Sequence, residues 1–110
     1  MKLKTGKQEL LLKDHMVIRI EADGNTCKLY LKNGQTMIMQ LSLDIIEDQM
    51  GNCSFIRIHP DHLVNAEHIS KIPDKAVDGI LLSDGKKIPV KEKKLIQLTE
   101  IIEKYINPKT

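Results

Sequence analysis

The chain is expected to be an α+β protein, mostly β, with one short helix in the middle and one at the C-terminus. Three observations predict that class. Several short segments alternate apolar and polar residues with the period of a strand. Two hairpin-type turn signals separate neighbouring segments, and the clear helical period begins only at Lys91. Strands and helices do not alternate along the chain, which argues against a doubly wound sheet. At 110 residues the chain has the size of one domain, 1–110, with its core at about 10–106.

Each element follows from local residues. Leu10-Leu11-Leu12 is a short apolar run after the turn-like Thr5-Gly6-Lys7, and Met1–Lys7 either pairs as a strand or frays. Val17–Ala22 is β-branched and partly alternating, and Asp23-Gly24-Asn25 ends it as a turn. Cys27–Lys32 alternates with Cys27, Leu29 and Leu31 on one face; Asn33-Gly34 is the hairpin signal, and Met37–Met39 is the partner strand. Leu43, Ile45, Ile46 and Met50 suit an amphipathic helix capped by Ser42 and stopped by Gly51, with Asp44, Glu47 and Asp48 on its wet face. Phe55–Ile58 reads as a strand, followed by a polar connection, a restart through Leu63-Val64-Asn65, and a strand near His68–Ile72 that Pro73 closes. Gly79–Leu82 and Lys87–Val90 flank Ser83-Asp84-Gly85 as a second hairpin, whose last strand Pro89 confines to an edge or a sheet end. From Lys91 a helix carries Leu95, Leu98, Ile101 or Ile102, and Tyr105 on one face until Asn107-Pro108.

Composition excludes more than it selects. An apolar fraction of 41% with 29% charged residues is that of an ordered globular chain. Aromatic residues make up only 3%, which argues against single-strand binders that stack bases on exposed rings. Tyr30, Phe55 and Tyr105 all sit in apolar patterns expected to be core. A net charge of +2 permits a nucleic-acid partner without pointing to one, so local distribution matters more. Lys86, Lys87, Lys91, Lys93 and Lys94 crowd one window in which Glu92 is the main opposing charge. No apolar run is long enough to cross a bilayer, so no membrane partner is expected. The N-terminus lacks the apolar stretch of a secretory leader, and two cysteines, Cys27 and Cys53, fit reduced thiols in a cytoplasm.

The stretch Phe55-Ile56-Arg57-Ile58-His59-Pro60-Asp61-His62-Leu63-Val64-Asn65 is the most informative segment. Its order resembles the signature of LytTR-type DNA-binding domains, in which an aromatic-X-Arg-X-His run is followed by a polar loop and a Val-Asn turn. Ile20–Asn25 with Lys28–Leu31 resembles that family's first hairpin, and Leu82–Val90 its last hairpin and the approach to its final helix. Three segments in order, over about Leu10 to Ile102, make the likeness specific. The resemblance implies an elongated antiparallel β fold with a C-terminal helix. It also implies a stand-alone regulator of the response-regulator effector kind that reads promoter repeats in double-stranded DNA through three loops. On this chain those loops are Asn25, Thr26 and Lys28; His59 and Asp61; and Lys91, Lys93 and Lys94. Lysines neutralise phosphates, whereas Asn25 and His59 offer donors to base edges.

The chain departs from the family's pattern at two loops. After the signature His, Pro60-Asp61 stands where many members carry a basic or amide residue and then Ser. Pro60 has no N–H to donate, and Asp61 brings a carboxylate, which can accept from cytosine N4. Lys91-Glu92-Lys93 stands where many have Ser-Arg-Arg, and lysine cannot copy arginine's bidentate fork. The second reading is therefore a protein-interaction or dimerisation module of the same fold with weakened DNA binding, its partner being a second copy or another regulator.

Other constellations read as structure. A His at a strand end such as His59 commonly bonds neighbouring backbone, and Asn65 suits a turn, since Asn adopts the left-handed region and caps its own backbone. Cys53, His59, His62 and His68 lack the ligand intervals of a zinc site, and a Cys53–His59 pair has no orienting third group. Glycine-rich phosphate loops are absent from the sequence. No enzyme, cofactor or small-molecule substrate is expected.

Overall fold

The computed structural model describes residues 1–51 and 54–106, with the backbone alone at Ile102 and 104–106. Cys53, the Asn107-Pro108 stop and the side chains of Ile102 and Tyr105 therefore lie outside the described residues. The elements run β1 (Lys2–Lys4), β2 (Glu9–Leu11), β3 (Val17–Asp23), β4 (Thr26–Leu31), β5 (Thr36–Met39), α1 (Leu43–Met50), β6 (Phe55–His59), β7 (His62–Asn65), β8 (Ile69–Lys71), β9 (Ile80–Leu82), β10 (Lys87–Ile88) and α2 (Glu92–Ile106). Their pairings are antiparallel and make three sheets: β1-β2, β5-β4-β3-β7-β6 and β10-β9-β8. The shape is elongated, 42 × 30 × 25 Å.

The five-stranded sheet divides the core in two. On one face Val17, Ile20, Cys27, Leu29 and Leu63 pack with Leu3, Met39, and Leu43 and Ile46 of α1. On the other, Ile18, Ile58 and Val64 pack with Ile80, Leu82 and Ile88 of the three-stranded sheet and with Leu95 and Leu98 of α2. Fully burying each such side chain contributes about 1.5–3 kcal/mol, which is the main term seating both helices. A β-bulge makes the division possible. Between Val17 and Arg19, two steps of β3 match one step of β4, so Val17 and Ile20 enter one cluster and the intervening Ile18 enters the other.

Several local readings hold. Ser42 caps α1, its hydroxyl accepting from the Ile45 N–H at 3.2 Å, and Gly51 is the C-cap. Lys2–Lys4 pairs with Glu9–Leu11, deciding the open question of the N-terminus. β10 is an edge strand that ends before Pro89, which has no N–H for a ladder. Other readings shift. Ile45 is 47% exposed, whereas Leu43 and Ile46 are buried in the core and Met50 packs against it half-buried. Tyr30 and Phe55 are half-buried rather than core. The strand expected from His68 starts at Ile69, since one turn of 3-10 helix, Ala66–His68, intervenes. Gly79 sits before β9 at φ +78, and a Cβ there would lie 3.2 Å from the Ile88 backbone, so only glycine lets β9 approach β10 this closely.

Candidate nucleic-acid interface

The register of the large sheet sets two of the three expected loops side by side. The β3–β4 turn and the β6–β7 turn lie at the same sheet end, because β3 pairs with β4 through Asp23 and Thr26 and with β7 through Glu21 and His62. The Ala22 N–H donates to the Asp61 carbonyl at 2.9 Å, tying the second turn to the strand beneath the first. Asn25 is exposed, whereas the Thr26 hydroxyl donates to the Asp23 carbonyl at 2.9 Å and so serves the turn.

A second bulge aims His59. Between Arg57 and His59 of β6, two steps match one step of β7, and the pairing resumes as His59 opposite His62. Ile58 therefore enters the core beneath α2 while the His59 ring meets the His62 ring edge-on at 5.2 Å. The Asp61 N–H donates to His59 Nδ1 at 3.1 Å, the backbone contact expected of a loop histidine. With Nδ1 accepting, the neutral ring carries its proton on Nε2, which is left as a donor.

The third loop meets the second across a shallow groove of about 610 Å³, lined by Arg57, Ile58, His59 and Pro60 of the second and by Pro89, Val90, Lys91 and Lys94 of the third. Lys91 precedes α2, and its carbonyl accepts the helix bond from the Leu95 N–H at 2.9 Å. Lys93 is exposed on α2 but does not line the groove. Among the described residues none of Lys28, Lys91, Lys93 and Lys94 enters an ion pair. Asp61 and Glu92 are exposed carboxylates beside these cations. The Lys cluster of the sequence is thus split, and its groove-facing part borders an apolar floor that no motif announces.

Behind the loops runs a charged cross-strand row in the order Lys28, Glu21, His62, His59. Glu21 accepts from the Tyr30 hydroxyl at 2.9 Å and from Arg19 at 3.3 Å, and lies 3.9 Å from His62. Burial pushes the Glu21 carboxyl upward, but the Tyr30 hydroxyl, His62 and Arg19 together outweigh it and hold it below its ordinary value. Burial together with Glu21 raises the Tyr30 phenol. Burial lowers His62 against the pull of Glu21, and its Nδ1 is buried without a hydrogen-bond partner among the described residues.

That depressed histidine makes stability pH-dependent. An unfolded histidine takes its proton near pH 6.5, whereas folded His62 resists it, so the unfolded state binds more protons below that pH. The contribution is fully present above pH 6.5 and is lost as pH falls through it toward the depressed folded value. The urea midpoint of the parent protein should drop more steeply than that of His62→Gln between about pH 7.5 and 5.5. Parallel curves would remove His62 as the cause.

Sequence reading missed two groups here. Arg57 stands in the signature but carries no obvious role, and its contacts lie in α1 and in the turn it precedes. Asn65, read as a turn-former, does accept from the Glu67 N–H at 3.0 Å, but at φ −81 rather than in the left-handed region, and it is fully buried.

A search of curated protein sequences found no match. Among solved structures, a LytTr DNA-binding domain from Bacillus cereus, described as part of a methyl-accepting/DNA response regulator, superposes with a TM-score of 0.67 at 24% identity, covering 97% of this chain and 95% of that one. That likeness supports the fold. The family model of the LytTr DNA-binding domain matches residues 7–103. The chain belongs to the LytTr DNA-binding domain family.

Proposed function

We propose that this DNA-binding regulator reads promoter repeats in duplex DNA through the three loops at one end of its sheet. Asn25, with Thr26 shaping its turn, and Lys28 form the first contact; His59 and Asp61 form the second; Lys91, Lys93 and Lys94 form the third. The observation that carries this reading is the convergence of the three loops, two by strand register and two across the groove. The lysines supply phosphate contacts, the Nε2 donor of His59 and the amide of Asn25 suit base edges, and the Asp61 carboxylate can accept from cytosine N4.

The test is selection of bound fragments from a genomic library at several salt concentrations. An enriched repeated site is expected, with affinity falling steeply in salt. Lys91→Ala should reduce the log–log salt slope by about one unit while leaving sequence preference intact. Retention of nothing at low salt would sink the DNA reading. It would favour the second reading, a module for a second copy or a partner regulator, for which the exposed carboxylates of Asp61 and Glu92 among the lysines speak.

A further inference from the structure

Arg57 reaches toward two separate parts of the fold. Its Nη1 donates to Asp44 Oδ1 at 2.9 Å and to Glu47 Oε1 at 3.0 Å, both on α1. Its Nε donates to the carbonyls of His59 at 3.2 Å and Pro60 at 3.1 Å, and Nη2 also donates to the Pro60 carbonyl. Arg57 stands at the bulge of β6, where two steps of β6 match one step of β7 and the ladder is interrupted. The guanidinium supplies partners for the two carbonyls that follow. It is only 23% exposed, and although it lines the groove beside His59, its Nε, Nη1 and Nη2 each donate to protein groups. Lysine could copy the charge but not a planar fork that serves both sides at once.

We infer that Arg57 is a positioning residue for DNA recognition, holding the His59-Pro60 backbone in place and anchored by Asp44 and Glu47 of α1. The inference rests on the reading of His59 as a DNA contact. α1 is itself fixed by Leu43 and Ile46 in the core. A rigid element on one face of the sheet thereby sets the direction of a side chain that acts at the sheet's end. Fixing the His59 and Pro60 carbonyls also fixes the turn from which the Asp61 N–H reaches His59 Nδ1, so the outward Nε2 donor inherits its aim from Arg57.

The test uses the full chain and compares a selected duplex with a random duplex across a salt series. Arg57→Gln should weaken the selected duplex by about tenfold, the loss of one oriented base contact, while changing random-duplex affinity less than about twofold and leaving the salt slope unchanged. Arg57→Lys should recover little of that loss. Asp44→Asn with Glu47→Gln keeps Arg57 and the core, should fold in any case, and should show a smaller loss of the same kind. Equal losses on both duplexes with a flatter salt slope would make Arg57 a phosphate contact and overturn the inference. So would equal losses that simply track the folded fraction measured by circular dichroism, or no change in either variant. Those outcomes leave the DNA reading standing, whereas a parent protein that selects no duplex would remove the reading itself.

Discussion

Asn65→Ala is expected to cost about 3 kcal/mol, a large share of the roughly 5–15 kcal/mol that stabilises a domain. Asn65 is fully buried at the end of β7 and every polar atom of its side chain is engaged. Its Nδ2 donates to the carbonyls of Asp14 and Val17, each at 3.0 Å. Its Oδ1 accepts from the Ser54 hydroxyl at 2.8 Å and the Glu67 N–H at 3.0 Å. One amide thus joins the approach to β3, the start of β6 and the turn before β8. Alanine would leave four groups short of a partner, at about 1 kcal/mol or more each before relaxation or water entry. Asn65→Asp restores the acceptor but not the donors and sets a charge against two carbonyl oxygens, so it should be no better than alanine. Urea unfolding with an unchanged m-value checks this, and a loss below about 1 kcal/mol for both variants would mean that water replaces the amide without cost.

Asn65 also marks where sequence reading stops. Its local role, accepting from the backbone two residues on, follows from the chemistry of asparagine. The carbonyls of Asp14 and Val17 lie 51 and 48 residues away and leave no local trace. Strand alternation from Cys27 to Leu31, the Asn33-Gly34 turn and the Ser42 cap were legible because each depends on neighbours within a few residues. The bulges at Ile18 and Ile58 were not, because a two-residue period places Ile18 and Ile20 on one face, whereas β3 sends them to opposite cores. The site divides in the same way. Asn25, His59 and Lys91 stand out through the order of three motifs, but the groove joining His59 to Lys91 depends on Pro89 and Val90 packing beside β6. Pro60, which reads as a lost donor, contributes a carbonyl to Arg57 instead.

Arg19→Ala is expected to cost about 3 kcal/mol, the lower end for breaking a buried charge cluster. Arg19 is 7% exposed and lies over the Tyr30 ring, 3.5 Å from its centroid. Its Nε donates to Asp84 at 2.9 Å, linking β3 to the turn between β9 and β10, and Nη1 donates to Glu21. Removal leaves the carboxylates of Asp84 and Glu21, with side chains 22% and 31% exposed, without their cation. The stacking on the half-buried Tyr30 ring, about 1 kcal/mol, goes with it. Arg19→Met should cost less, because the methionine chain refills the volume over Tyr30. Asp84 also accepts from the Lys86 N–H at 3.1 Å, so Asp84→Ala would break the turn as well; Asp84→Asn keeps that acceptor and is the better partner for a double-mutant cycle. The cycle should yield a coupling of about 1–2 kcal/mol with Arg19. Near-zero coupling would show that Arg19 acts through packing on Tyr30 alone. The expected coupling would make the pair a lateral tie between the large sheet and the hairpin leading into Lys91, and it predicts that Arg19→Met, though folded, loses preference for its selected duplex while keeping the salt slope of the parent.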